Sequence, residues 1–254
     1  YLKGDDVPGQ GSEVALAVDA ERRAAIQRHH TVTHLFHWAL HEVTSPDSSQ
    51  KGSYVGPEKL TFDFNSQALT PQQVTDIEQL VNERILENST VSWTETPHSE
   101  ITQRTDILQF FGDKYGDTVR VVQIGGDANV LNGFSMELCG GTHTRATGEI
   151  GLFRITGESA IAAGVRRVEA VAGLVAAEQA RTDAGRILAL AESLNSPVND
   201  IEKKLEQALG QSKRLEKQMK SIQQSQAADT AKGLVGQAAS VGGLQCITAN
   251  LGES

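Results

Sequence analysis

Apolar positions change period repeatedly up to about Ala172 and then settle into one long helical rhythm. Val14 to Val18 reads as a short strand. Asp19 precedes a helical pattern that runs from about Ala20 to Val43. Ser45 to Gly52, with Pro46, reads as a polar turn. Leu60, Phe62 and Phe64 then alternate with polar residues, the period of a strand with one face buried. Thr70 and Pro71 are suited to the N-cap and the first position of a helix, and Val74, Ile77, Val81 and Ile85 form its apolar stripe. Further strands are predicted at Val91–Thr96, Val119–Ile124, Met136–Leu138, Gly151–Thr156 and Val165–Val171, with a helix over Arg104–Phe111. Strands and helices are mixed without strict alternation, so the fold class is α+β, a mixed sheet packed with helices.

Beyond Ala172 the chain reads as long helix. Ile201, Leu205, Ala208, Ser212, Leu215, Met219 and Ile222 follow a heptad seam, with Lys203, Lys204, Lys213, Arg214, Lys217 and Lys220 beside it. Ala208 is small and Ser212 polar, so the centre of the seam is weak. An antiparallel helical hairpin with a solvated face is favoured over an RNA-contacting or dimerising coiled coil. After Gln223 the Gly/Ala/Ser-rich sequence reads as a linker, and Leu244–Ala249 as the beginning of one strand of a further domain.

Composition narrows the setting. A chain of 254 residues can form one large domain or two modest ones. Its net charge of −9 argues against indiscriminate nucleic-acid binding, but leaves room for a local basic face. No apolar run approaches the ~20 residues that span a bilayer. The chain opens at Tyr1 without Met or a signal peptide, as expected of a piece cut from a longer protein. Cys139 and Cys246 are far apart and in unlike contexts, which points to a reducing compartment, the cytoplasm, rather than a disulfide framework.

The candidate chemistry lies in four side chains. His30 and His34 are one helical turn apart and project from one face. Cys139-Gly-Gly-Thr-His143 adds a thiolate and a third imidazole, with two glycines that let the backbone turn sharply. Three nitrogens and one sulfur suit one tetrahedral Zn²⁺. The alternative is a buried structural Cys139 with histidines paired to carboxylates. His37 and His41 continue the helical face and His29 adjoins it. They are candidates for hydrogen-bond support of the ligands, although His29 and His41 read equally well as surface residues. His98 has no assigned role. Thr31 follows His30 where a zinc protease would carry a glutamate, so that class is excluded. Gly125-Gly126-Asp127 is a turn signal, and neither a phosphate-binding Walker loop nor a Cys-x-x-Cys pair is present.

His30-Thr-Val-Thr-His34-Leu-Phe-His37, Gln50-Lys-Gly-Ser53, Leu60-Thr-Phe-Asp-Phe64, Cys139-Gly-Gly-Thr-His143 and Gly164-Val-Arg-Arg-Val-Glu-Ala170 together resemble the alanyl-tRNA synthetase family. The resemblance covers roughly residues 14–175, the family's editing domain, which threonyl-tRNA synthetases share in related form. Gly140-Gly141 before Thr142-His143 looks like the alanyl version. Val32 departs from the family's usual alanine. The resemblance implies a remnant of an upstream β-barrel over residues 1–25 and a zinc-containing editing domain over 26–172. A helical or coiled-coil segment over 173–225 and the start of a C-terminal domain over 226–254 would follow. It also implies an ATP-binding, tRNA-charging parent enzyme of protein biosynthesis, whose aminoacylation domain lies outside this chain.

The implied reaction is hydrolysis of Ser-tRNA(Ala) and Gly-tRNA(Ala). Serine adds one hydroxyl to alanine and glycine lacks one methyl, differences that a small apolar pocket discriminates by only about 10–200-fold. A second, hydrolytic site completes the discrimination. Gln50 and Ser53 match the family positions associated with the amino-acid pocket. Thr33 is a candidate for orienting water or substrate, or else its hydroxyl bonds a carbonyl one turn back. Arg166 and Arg167 are candidates for holding RNA phosphates, with one of them alternatively paired to Glu169. Asp63 is a general-base candidate by position only. Four protein ligands make a closed site, whereas Lewis-acid catalysis needs an open position. The expected partners are the acceptor end of tRNA(Ala) and, through the helical or C-terminal region, a second copy in a dimer. The alternatives are a freestanding deacylase acting in trans and a non-catalytic, zinc-supported tRNA-binding module.

Overall fold

The computed structural model describes residues 8–109 and 115–248. Expectations at Phe110, Phe111 and Ala249 therefore lie outside the described residues. The chain forms two compact units, Tyr1–Arg181 and Thr182–Ser254.

The first unit is built around helix α1 (Ala20–Val43). Asp19 caps it by accepting from the Arg22 backbone N–H at 2.9 Å, relieving one of the donors a helix start leaves open. Strands β1 (Gln50–Val55) and β2 (Leu60–Asn65) follow. Helix α2 (Pro71–Leu86) begins with the predicted Thr70 cap, closed into a reciprocal capping box by Gln73. Next come β3 (Val91–Pro97), the short α3 (His98–Ile101), β4 (Thr118–Ile124) and β5 (Ser135–Leu138). A 3₁₀ turn at Thr147–Ile150 precedes β6 (Phe153–Ala162) and β7 (Val165–Ala172).

The strands make two antiparallel sheets in this unit rather than one mixed sheet. One has the order β1-β2-β7-β6 and the other β3-β4-β5. The one parallel element among the described residues is an isolated bridge, Leu108 to Glu137. α1 and α2 pack together against the four-stranded sheet. Val32, Leu35, Phe36, Ala39 and Leu40 of α1 are fully buried there, and Phe36 meets Phe62, Phe64 and Phe153 with ring centroids 5.3, 6.5 and 6.4 Å away. A separate cluster of Ile101, Ile107, Val119, Val121, Met136 and Leu138 fills one side of the three-stranded sheet.

Four local expectations are corrected. Val14–Val18 forms no strand. Val14, Leu16 and Val18 are exposed and find no strand to pair with among the described residues. Arg104–Gln109 is not helical: Arg104 closes a tight turn onto Asp106, and Leu108 then bonds Met136 and Leu138 along the free edge of β5. The Ser45–Gly52 turn ends earlier than expected, because Gln50 already pairs with Phe64 as the start of β1. The linker expected after Gln223 is helix, since Ala227, Ala228 and Ala231 favour that state and one Gly233 does not break it.

The second unit takes in the end of α4 (Leu174–Ser193), then α5 (Ile201–Val235) and the two-stranded hairpin β8 (Ala239–Val241) and β9 (Leu244–Cys246). α5 buries no residue, and Leu205, Leu215, Met219 and Ile222 of the seam are exposed. The favoured hairpin packing is thus not formed along this seam. Among the described residues no helix is long and apolar enough to cross a membrane.

Candidate metal centre

α1 is buried on two opposite faces. At 100° per residue, Val32, Leu35, Phe36, Ala39 and Leu40 point into the apolar core, while His30, His34, His37 and His41 form a stripe on the other side. That stripe faces the end of β5 and the loop after it. Cys139, directly after β5, and His143 come within reach of His30 and His34, and one ligand atom from each of the four residues lies within 4.8 Å of all the others. Cys139 Sγ is 3.4 Å from both His30 Nε2 and His143 Nε2. Ligand–ligand edges of a tetrahedron with sulfur and imidazole donors are roughly 3.3–3.8 Å. His34 Nε2 is buried with no hydrogen-bond partner, as a nitrogen reserved for a cation would be. The donor set and the orphaned nitrogen fit a metal ion.

Gly141 explains why the loop carries glycine, and the reason differs from the expected sharp turn. Neither Gly140 nor Gly141 has positive φ. A Cβ on Gly141 would overlap the His30 ring, whereas one on Gly140 would meet nothing. The missing side chain lets His30 lie against the loop backbone. Arg120 of β4 holds that backbone from behind, with Nη1 donating to the Gly141 carbonyl at 2.6 Å and its guanidinium lying over the Trp93 ring at 4.8 Å.

Two functional residues were missed by sequence reasoning. Glu137, only 2% exposed, accepts from His34 Nδ1 at 2.6 Å and His37 Nδ1 at 3.0 Å. A carboxylate on both Nδ1–H groups fixes the tautomer in which His34 Nε2 presents its lone pair to the cluster. The available signal was a lone acid in the apolar strand Met136-Glu137-Leu138, immediately before Cys139. Thr31 is the second. Its hydroxyl lies 3.2 Å from His143 Nδ1 and accepts from the Thr144 backbone N–H at 3.0 Å.

The electrostatics follow from this packing. Burial works against ionising Cys139, but His143, His30 and His34 outweigh it and hold the thiol down to about 3. Burial also opposes protonation of His34, yet Glu137 and the Cys139 sulfur push it up to about 10. His143 is lowered to about 4, chiefly by burial. Burial likewise resists ionisation of Glu137, and the two imidazoles overcome it, holding the carboxyl well below the ordinary carboxylate range.

The remaining candidates are placed as follows. Thr33 Oγ1 donates to the His29 carbonyl at 2.7 Å, the intrahelical bond named as its alternative. Gln50 and Ser53 meet on β1, Nε2 donating to Oγ at 3.0 Å. Arg166 pairs with Glu158, while Arg167 forks onto Asp63 at 2.7 and 2.8 Å. Glu169 binds Lys59 instead, so neither arginine takes it as its ion-pair partner, and Asp63 is occupied as an anion partner. His29 is buried rather than on the surface, its Nε2 accepting from the Ala172 N–H at 3.0 Å. His41 bonds the Ser48 carbonyl, and His98 lies 3.2 Å from the Gln109 amide oxygen.

This antiparallel α+β unit, with a His/Cys quartet between a helix and a strand end, defines a class. Residues 119–169, from β4 to β7 and including Cys139 and His143, match the family described as the threonyl and alanyl tRNA synthetase second additional domain. The chain is 54% identical over 171 residues to an alanine-tRNA ligase of Akkermansia muciniphila, covering 67% of this chain and 18% of that protein. Identity is 43% over 242 residues to the enzyme of Opitutus terrae and 41% over 242 to that of Herminiimonas arsenicoxydans, covering 95% of this chain and 25% and 27% of theirs. The chain belongs to the alanine-tRNA ligase family. It spans about a quarter or less of the length of these relatives.

Proposed function

We propose that this chain is a proofreading deacylase that hydrolyses the ester of Ser-tRNA(Ala) and Gly-tRNA(Ala) at the quartet, with one Zn²⁺ as its metal. The observation that carries the reading is the convergence of His30, His34, Cys139 and His143 at the edge of an open groove that includes His143 itself. Water attacks the ester carbonyl carbon, the bond to the ribose oxygen breaks, and that oxygen takes up a proton.

Zn²⁺, held by these four residues, would supply a fixed positive charge beside the ester and a rigid frame for the loop. The chain's own groups do the rest. Glu137 and Thr31 hold His34 and His143 in place. The Gln50–Ser53 pair offers an amide oxygen and a hydroxyl to a seryl side chain. Thr33 has donated its proton to the His29 carbonyl, so its oxygen is left as an acceptor for water or substrate. Arg166 and Arg167 remain the candidates for RNA phosphates. Both would share their guanidinium edges with their carboxylate partners, and Arg167, whose side chain is 39% exposed against 18% for Arg166, is the more accessible.

The test is deacylation of Ser-tRNA(Ala) by the zinc-loaded chain and by a Cys139→Ala variant. The reading expects hydrolysis that the substitution abolishes. Equal rates in both would remove Cys139 from the site. A second reading, a tRNA-binding module whose metal only supports folding, is favoured by the closed four-ligand shell. It expects the intact chain to bind tRNA and leave the ester whole. Charging of tRNA, ATP binding, dimerisation and a cytoplasmic location are proposals for the longer enzymes of this family and extend to this chain only through that kinship.

A further inference from the structure

A groove of about 390 Å³ opens beside the metal centre, within the size range of small-molecule sites. Its walls include Trp93 and Arg120 from the three-stranded sheet, Gly141, His143 and Arg145 from the ligand loop, and Gln27 from α1. Trp93 sits on the edge strand β3 and is 51% exposed, although its neighbour in register, Val122, is buried. The Arg120 guanidinium covers the Trp93 ring on one side and is itself anchored to the Gly141 carbonyl. This leaves a half-exposed indole, braced from behind and tied to the loop that carries Cys139 and His143. Gln27, whose side-chain amide has no partner among the described residues, also lines the groove.

We propose that Trp93 is the stacking platform for the base of the terminal nucleotide of an RNA 3′ end, with the Gln27 amide reading the base edge. The proposal rests on the deacylase reading, because the ester is carried by the ribose of that nucleotide and its base must lie within one nucleotide's reach of the quartet. An exposed aromatic face with a neighbouring guanidinium is the usual support for an unpaired base. Arg120, which has no carboxylate partner among the described residues, supplies positive charge in a chain whose net charge is negative, whereas Arg145 is paired with Glu149 at 2.8 Å. A second hollow, lined by Val91 to Glu95 and Asn129, shares Trp93 with the first and gives the single strand a continuing path. Bases inside a duplex are stacked on both faces and paired along their edges, so a nucleotide that both stacks on Trp93 and offers its edge to Gln27 is unpaired.

The chain has two tryptophans, which makes the test direct. In a Trp38→Phe background Trp93 is the only indole, and the zinc-loaded protein is titrated with an acceptor-stem minihelix ending in CCA. The expected result is quenching of Trp93 that is lost when the minihelix lacks its terminal nucleotide. Trp93→Ala is expected to weaken minihelix binding roughly 10- to 100-fold, with the loss in deacylation falling on KM rather than kcat, and Trp93→Phe to restore most of it. Equal quenching by the shortened minihelix, or an unchanged KM in Trp93→Ala, overturns the proposal while leaving the deacylase reading standing. Quenching by AMP but not by the minihelix overturns it in favour of a free-nucleotide site. Terminal-nucleotide-dependent quenching without ester hydrolysis supports the platform and removes the deacylase reading instead.

Discussion

The two faces of α1 are both buried, yet they are stabilised in unlike ways. The core face packs Val32, Leu35, Phe36, Ala39 and Leu40 into an apolar cluster in which each side chain touches several others. Its energy is summed over many weak contacts, and the loss of one leaves the rest. The opposite face buries His34 and His37, with Glu137 between them, where each imidazole Nδ1 depends on one oxygen of the same carboxylate. A buried polar network fails when a single member is wrong, because the group left behind cannot return to water. The comparison teaches that one helix can be placed by one face and tuned for chemistry by the other.

The comparison can be broken from either side. Phe36→Ala is expected to have the largest effect on folding, a loss of about 3–5 kcal/mol in a denaturant titration. The molecules that remain folded should still bind one metal ion. If metal stoichiometry fell in proportion to nothing but this cavity, the two faces would not be separable.

Glu137→Gln is the matching change on the polar face. Glutamine keeps one acceptor but turns an NH₂ toward the other imidazole. His34 or His37 must then switch tautomer, and a switch at His34 places a proton on the nitrogen the metal needs. Metal affinity, measured by competition with a chromophoric chelator, is expected to fall about 10- to 100-fold. ¹⁵N shifts of the His34 ring would report the tautomer directly. An unaltered affinity would reduce Glu137 to a packing residue.

The pH response is smaller and has a defined sign. His34 is raised to about 10, so between its ordinary 6.5 and that value it carries a proton before the metal arrives. Loading at pH 8 should release one proton, seen as a buffer-dependent binding heat. Affinity should climb about tenfold per pH unit up to roughly pH 10 and fall as pH drops. His143, lowered to about 4, adds no competition near neutrality. A flat profile between pH 7 and 9 would contradict the His34–Glu137 coupling.

Thr33→Val should have the smallest effect. Losing the bond to the His29 carbonyl is expected to change stability by under about 1 kcal/mol. A drop in deacylation beyond that would support its part in the reaction, and unchanged deacylation would leave it a helical back-bond.

Legibility in the sequence followed the range of the interactions. α1, the Thr70 cap and the alternation in Leu60–Phe64 were readable because their causes are local. The quartet was readable because each half has its own spacing, His30 with His34 and Cys139 with His143. Glu137 was not, since its partners are 103 and 100 residues away and an acid in a short strand looks like an ordinary exposed position. Val14–Val18 had strand chemistry without a strand to pair with among the described residues, and Gln50–Val55 had a partner but polar, glycine-containing chemistry. The length of α5 was hidden because alanine was read together with glycine and serine, although its helical preference is opposite to theirs.

Gly141 sets how such a centre can vary. Donor identity is usually taken as the requirement of a metal site, but here a residue with no side chain decides where the His30 ring can lie. The smallest substitution, a single methyl group, would meet the His30 ring, so the ring or the loop would have to shift. Variation at this position is therefore felt first in where the His30 ring lies, before any of the four side chains is exchanged.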